Sequence, residues 1–339
     1  MSNDKISTTV LGAAGPVVGI QGLGCMGMSE FYGDTDQAAA RATLDAALDA
    51  GVTLFDTADI YGAGANEEFI APFVRAHRDE ITLATKFGIV RKAEDPRYRA
   101  VSNDPAYIRQ AVEASLRRLG VEVIDLYYMH RRDPAVPLAE SVGAMAELVA
   151  QGKVKHLGLS EVTGAELREA HAVHPIAAVQ SEWSLFSRDV EISLVGAAAD
   201  LGVAVVPYSP LGRGFLAGSF ANAEQDLTEG DFRRNQPRFT GGNAAANASL
   251  LEPVRTVAEA HGASLGQIAL AWVQQRAQVH GLPVIPIPGT TKPGRVEENT
   301  AATAIALTDE ELTLLEPIAG KVAGDRYADM SFASTSREN

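Results

Sequence analysis

The 339-residue chain is short of cysteine, of positive charge and of long apolar runs, and each shortage removes a class of function. Its one cysteine, Cys25, excludes an intrachain disulfide and a cysteine-rich zinc site. Lys and Arg number 29 against 43 Asp and Glu, a formal net charge of −14. That balance argues against a general nucleic-acid binder, because phosphate contacts need a basic face. No apolar run approaches the roughly 18 residues of a membrane-spanning helix. The N-terminal MSNDKISTTV lacks the basic-then-apolar order of a secretory signal, so a cytoplasmic protein is the simple reading. No His, Cys or carboxylate cluster has ligand spacing, and no metal is expected.

What is present is an ordinary globular composition, 46% hydrophobic and 21% charged. Residues 8–20 read as two short strands around Gly12 to Pro16, a hairpin ahead of the main fold, and residues 1–18 are assigned to that N-terminal hairpin. GLGCMG, Gly22 to Gly27, formally matches G-x-G-x-x-G, a motif that requires a helix opening on its last glycine. SEFYGDTD intervenes instead, and helical periodicity starts only near Thr35 with Asp34 as N-cap. The glycines are therefore not read as a dinucleotide fingerprint.

From Thr35 onward helices and strands alternate. The spacing predicts strands at Gly19–Gly22, 52–56, 81–86, 123–129, 154–159, 177–180, 203–207 and 284–287. Helices are expected over 35–50, 66–77, from Asp104-Pro105 to Gly120, 138–150, 164–171, 189–201, 249–261, 264–275 and 293–302. Asp104 followed by Pro105 is an N-cap with proline at the first helical position. Eight such units without a composition break imply one domain over 1–339, a closed (β/α)₈ TIM barrel. A long loop, Leu211 to Ala248, follows strand seven, and an extra C-terminal helix leads into a polar tail, 320–339. An open doubly wound sheet with a second domain is the competing architecture, but no linker or charge run marks its boundary.

In such barrels the chemistry sits at the C-terminal strand ends. TLFDTADIY, Thr53 to Tyr61, places Asp56 at the end of strand two and Tyr61 in the loop above. Lys86 closes ITLATK, and His130 closes VIDLYYMH. A lysine in a barrel mouth is costly unless paired, and Asp56 on the adjacent strand is its natural partner. A neighbouring ammonium favours phenolate and lowers a tyrosine's pKa from its reference of about 10. His130 could hydrogen-bond the oxygen that Tyr61 protonates. The four suit conversion of a carbonyl to an alcohol while hydride arrives from elsewhere.

GLGCMGMS, FDTADIYG, TKFG, DLYYMHR, GLSE, QSEWSLF, YSPLGRGFL and IPGTTKPGRVEEN resemble, in order and spacing, the aldo-keto reductases, most closely the branch with YSPLGRGFL. The resemblance runs from about Gly22 to Asn299. It implies a (β/α)₈ barrel that reduces an aldehyde or ketone with NADPH, reversibly, through Asp56, Tyr61, Lys86 and His130, with Tyr61 as general acid. It further implies cofactor contacts at Gly24, Cys25, Met26 and Asp56, at Ser160 and Gln180 for the carboxamide, and at Tyr208 as a stacking partner. Ser209, Pro210, Leu211, Gly212, Arg213 and Gly214 would line the pyrophosphate path. Ile287, Gly289, Thr290, Thr291, Lys292 and Arg295 match the segment around the adenosine 2′-phosphate, and Glu298 and Asn299 match the adenine contacts. Glu161 stands where many family members have asparagine, so it is not counted as a contact.

Charge chemistry supports the placement independently of the resemblance. Barrel phosphate sites favour the loops after strands seven and eight near a helix start, where GTTKPGR supplies hydroxyls and two cations. A phosphomonoester would need Lys292 and Arg295; a bare ribose would not. A Rossmann dehydrogenase with Asp56 on the ribose leaves that cationic site unexplained. A cofactor-binding regulatory subunit, like channel-associated β subunits of this fold, would favour a long N-terminal extension; only about twenty residues precede the first barrel strand. Met26, Tyr32, Phe87 and Trp183 are candidate walls of an apolar substrate pocket, with a place in the core as the alternative for each, and loops 90–103 and 211–248 would complete it. A small-molecule carbonyl is the expected partner.

Overall fold

The computed structural model describes residues 5–338 except 14, 30, 33–34, 93–94, 219 and 221–225, and only the backbone of 92 and 95–97. A hairpin, β1 (Thr8–Val10) with β2 (Val17–Gly19), pairs antiparallel and carries buried Leu11 and Val18 beneath the main sheet. The sheet itself is parallel. Its seven strands are β3 (Leu23–Gly24), β4 (Leu54–Asp56), β5 (Thr82–Phe87), β8 (Ile124–Met129), β9 (Val154–Ser160), β10 (Ile176–Glu182) and β11 (Ala204–Tyr208), hydrogen-bonded in chain order.

The expected eighth strand is not a continuous ladder. Pro283, Pro286 and Pro288 supply no N–H, so the segment can bond only at intervals. Val205 N–H donates to Pro283 O at 2.9 Å, Ile285 and Ile287 donate back to Val205 and Pro207, and Gly22 N–H donates to Pro286 O at 2.9 Å. Parallel bridges Val205–Val284 and Gly24–Gly289 join it to both sheet edges. The barrel is nearly closed through a proline-interrupted stave. The first strand also lies later than its predicted 19–22, because Gly19 belongs to the hairpin and Ile20 N–H still donates to Ser7 O.

Helices surround the sheet. α1 (Gln37–Asp49), α2 (Ala65–Ala76), α3 (Pro105–Leu119), α4 (Leu138–Ala150), α5 (Gly164–Val173) and α6 (Leu194–Leu201) pack side by side. Helices Leu265–His280 and Pro293–Ala301 complete the ring back to α1. α3 starts as its sequence predicts: the Asp104 carboxylate accepts from Ala106 and Tyr107 N–H, and Ile108, Val112, Leu116 and Leu119 are buried. It stops at Gly120 in the left-handed region, φ 66°. Asp34, expected to cap α1, lies outside the described residues; Asp36 caps it, accepting from Ala38 and Ala39 N–H.

Other elements depart from expectation for local reasons. The predicted helix 189–201 breaks at Ser193, whose φ is −143°, leaving a turn at Asp189–Glu191 and α6. The predicted helix 249–261 becomes Gly241–Ser249 and Glu252–His261, the second restarting with Pro253, which has no N–H to continue the first. The stretch read as loop 90–103 is mostly an antiparallel hairpin, β6 (Ile89–Lys92) and β7 (Asp95–Val101). The long connection after β11 holds 3₁₀ turns at Gly212–Ala217, Phe232–Asn235 and Pro237–Phe239.

Inside the barrel, Leu54, Ala84, Leu126, Tyr128, Ala178, Val206, Ile285 and Ile287 form one buried cluster closed below by Leu11 and Val18. Small residues there are dictated by large neighbours. A Cβ on Gly158 would sit 2.4 Å from Cδ1 of Tyr128, so any larger residue would force the buried ring to shift. Gly158→Ala should lower the unfolding free energy by about 1–3 kcal/mol, the usual cost of overpacking. Urea denaturation followed by circular dichroism checks this; an unchanged midpoint would show that the Tyr128 ring is free to move aside.

Candidate active site

The sequence places ionisable groups at consecutive strand ends, and the fold turns them toward one another. Asp56 ends β4, Lys86 lies in β5, and His130 follows β8 with its N–H donating to Phe87 O at 2.8 Å. The loop carrying Tyr61 is anchored from below: Thr57 N–H donates to Ala84 O and Asp59 N–H to Lys86 O. Asn66 at the start of α2 is fully buried and binds both flanks, donating to Cys25 O at 2.9 Å and accepting from Thr57 Oγ1 at 2.6 Å.

Lys86 has no exposed surface and makes three contacts. Its ammonium pairs with Asp56 Oδ1, donates to Thr57 O at 2.8 Å and reaches the Tyr61 hydroxyl at 3.3 Å. The second oxygen of Asp56 accepts from Gln180 Nε2 at 2.8 Å. The His130 ring stands edge-on to Tyr61, centroids 6.0 Å apart, and its Nδ1 has no hydrogen-bond partner among the described residues.

Burial dominates the electrostatics. It pulls the Lys86 pKa down, but Asp56 and Tyr61 outweigh it and the net direction is up, so the ammonium persists. Burial raises Asp56, while Lys86 and Gln180 oppose the rise. Tyr61 departs from expectation: Lys86 does pull its pKa down, yet burial is larger and the phenol stays above its ordinary range. Much of the ammonium's charge is already answered by Asp56. His130 is driven well below its usual value by burial, helped by Arg131 and Lys86, and is a neutral imidazole. The ensemble is one buried cation, one carboxylate, a protonated phenol and a neutral ring.

The other predicted residues divide into four groups. Ser160 and Gln180 are register partners on β9 and β10, and Tyr208 ends β11 opposite Glu182. Gly24 pairs with Asp56 and bridges Gly289; a Cβ at Gly24 would meet Ile287 O at 3.0 Å, so these backbones approach closely. Cys25 N–H donates to Asp56 O, its thiol is buried with a pKa pushed up to about 12 by burial and by Asp56, and Met26 packs against the cluster that contains Tyr61. Ser209 and Arg213 take left-handed φ values of 48° and 58° around Pro210, Leu211 and Gly212, and Gly214 follows at 97°.

At the far edge, Thr290 is buried and its hydroxyl accepts from Lys292 N–H ahead of helix Pro293–Ala301, with Thr291 between. Lys292 and Arg295 are exposed, and among the described residues no carboxylate pairs with either. Asn299 is buried on that helix, whereas Glu298 is engaged by Ser264 Oγ at 2.5 Å.

Two candidate pocket walls are corrected. Phe87 is fully buried against Tyr127 outside the barrel, and Trp183 is fully buried with its Nε1 donating to Glu191 at 2.9 Å. Both are core. Met26 packs against the cluster of Ala58, Ile60 and Tyr61, and Tyr32 lies under the Arg233 guanidinium.

Sequence reasoning missed the C-terminal segment. Arg326 is buried and grips Glu161 with two nitrogens, 3.0 and 3.2 Å away. Tyr327 joins its hydroxyl to that of Tyr208 at 3.0 Å and accepts from Arg213 at 2.9 Å. Arg131, following His130, donates to Ser160 Oγ at 3.3 Å. The only signal in the sequence was the odd carboxylate at 161, which calls for a cation.

Known proteins resemble this chain in sequence and in fold. A family model described as the Aldo/keto reductase family matches residues 22–319. The structure of a glycerol dehydrogenase from Gluconobacter oxydans is 31% identical, covering 95% of this chain and 97% of that one, with a TM-score of 0.80. An aldo-keto reductase from Bacillus halodurans, in its holo form, is 25% identical over 96% of this chain and 99% of its own, TM-score 0.74. A thermostable aldo-keto reductase in complex with the inhibitor epalrestat is 27% identical over 92% and 100%, TM-score 0.71.

Glu161 also makes a pH prediction. Burial opposes its charge, but Arg326 and Arg131 win and lower its pKa from 4.5 to about 2. Its stabilisation is therefore complete above about 4.5 and is lost as pH falls toward about 2. The urea midpoint difference between the parent and Glu161→Gln should shrink as pH falls through that window. A difference that stays constant across it would refute the assignment.

Proposed function

Because the chain belongs to the aldo/keto reductase family, whose members reduce carbonyls with nicotinamide cofactors, we propose that it is an NADPH-dependent reductase of an aldehyde or ketone, working reversibly with Tyr61 as general acid. The observation that carries this is Lys86, buried between Asp56 and Tyr61. When bound, the nicotinamide would supply hydride from C4 to the carbonyl carbon.

The residues of this chain would do the rest. The neutral His130 can donate a hydrogen bond to the carbonyl oxygen and hold it near the Tyr61 hydroxyl. As the oxygen gains charge, Tyr61 gives up its proton, and Lys86 at 3.3 Å stabilises the phenolate left behind. Asp56 keeps the ammonium in place; Gln180 fixes Asp56. In the reverse direction the same phenolate accepts the proton of an alcohol.

The residues present fit a nicotinamide cofactor. Gln180 gives its amide N–H to Asp56 and keeps its carbonyl oxygen for the carboxamide nitrogen. Ser160 Oγ accepts from Arg131 and can still donate its own proton. The close approach of Gly24 and Gly289 leaves the strand-end floor free of side chains. Lys292 and Arg295, solvated at a helix start, suit the 2′-phosphate of NADPH.

Tyr61→Phe should lower kcat by roughly 10²–10⁴, about 3–5 kcal/mol of barrier. Near-parental turnover would overturn the general-acid assignment. NADPH should bind at least about tenfold more tightly than NADH, and Lys292→Ala/Arg295→Ala should erase the difference. Equal dissociation constants for the two cofactors in the parent, by isothermal titration, would sink the phosphate-site reading.

A further inference from the structure

The C-terminal segment docks on the wall formed by Ser160, Glu161, Gln180 and Tyr208. Glu161 takes a left-handed φ of 51°, which turns its side chain out of the β9 run, and it is essentially unexposed. Its carboxylate accepts from both Arg326 amino groups, from Ser334 N–H at 3.0 Å and from the Tyr208 hydroxyl at 2.8 Å. A carboxylate has about four lone-pair sites, so these donors saturate it. Glu161 has nothing left to offer a carboxamide.

A directional chain of hydrogen bonds continues from there. Tyr208 gives its proton to Glu161, so its oxygen accepts from Tyr327, and the Tyr327 oxygen accepts from Arg213. Arg337 ties the same segment down, donating to Glu161 O at 2.6 Å and gripping Glu166. The aromatic group expected to face the nicotinamide is thus held by residues that lie more than a hundred positions later in the chain.

We propose that Arg326 is a positioning residue for the nicotinamide end of the cofactor site: it holds Glu161 as a structural anchor and thereby fixes Tyr208, making segment 326–337 a functional part of that wall. The proposal rests on the cofactor reading above. Removing Arg326 leaves a buried carboxylate facing Tyr208 with its bidentate partner gone, and such a group moves or takes up a proton. Removing both charges avoids that conflict.

The test uses the 339-residue protein with two probes, NADPH and adenosine 2′,5′-bisphosphate, which carries the adenine half alone. Arg326→Met should weaken NADPH about tenfold or more by isothermal titration while adenosine 2′,5′-bisphosphate stays within about twofold. Glu161→Gln/Arg326→Met should recover most of the NADPH affinity. Parent-like NADPH binding by Arg326→Met, or equal loss of both probes, would overturn the proposal. If Arg326→Met fails to melt cooperatively, Arg326→Lys carries the test: it keeps the charge and loses the two-pronged grip, and NADPH alone should weaken. Parent-like NADPH affinity in that variant would equally overturn it. Failure of the parent itself to bind NADPH or NADH would instead remove the cofactor reading beneath it.

Discussion

The site depends on one buried ion pair. Lys86 and Asp56 lie on adjacent strands with almost no exposed surface, where either charge alone would be untenable. Removing one partner of such a pair typically costs about 3–5 kcal/mol, because the other is left buried and unanswered. The pair therefore constrains everything around it. Gln180 reaches across the barrel to complete the Asp56 shell, Thr57 O takes a second Lys86 proton, and the third direction is left for Tyr61. The phenol's place is set by charge satisfaction before any substrate enters.

A second buried pair, Glu161 with Arg326, organises the opposite wall in the same way. Its two members stand 165 residues apart, Glu161 in the middle of the chain and Arg326 in the C-terminal segment. Between the two pairs lie Gln180, which donates to Asp56, and Arg131, which donates to Ser160 next to Glu161 in sequence. The barrel mouth is thus not a loose rim of loops. It is braced on the β4–β5 side by a lysine and on the β9–β11 side by an arginine from the tail, and the proline-broken eighth segment supplies the floor beside Gly24.

How much of this was legible in the sequence follows from how each feature is encoded. Asp56, Lys86 and His130 stand at the ends of apolar runs, so period and charge alone locate them on consecutive strands. α3 was readable from Asp104-Pro105 to Gly120 because caps are local signals. The eighth segment kept its place but not its ladder, since its three prolines forbid regular donation. Phe87 and Trp183 looked like pocket walls because an aromatic beside a strand end has no sequence mark for which side of the barrel it faces. Arg326 was invisible for a deeper reason: a polar tail without periodicity carries no sign of its partner, and pairing at that distance is decided by tertiary packing. Glu161 was read only as a departure from the family's asparagine, and a lone carboxylate at a strand end does not name the cation it will meet.

The central claim is that a protonated Tyr61, supported by Lys86, delivers the proton while His130 stays neutral. Single-turnover carbonyl reduction measured against pH tests it most directly. Burial holds the tyrosine above its ordinary range and the histidine well below its own. The rate constant should accordingly stay level from about pH 6 to about pH 9, with no step near the ordinary histidine value of about 6.5. A rate that falls as pH rises through that value would make an imidazolium the donor and contradict the account.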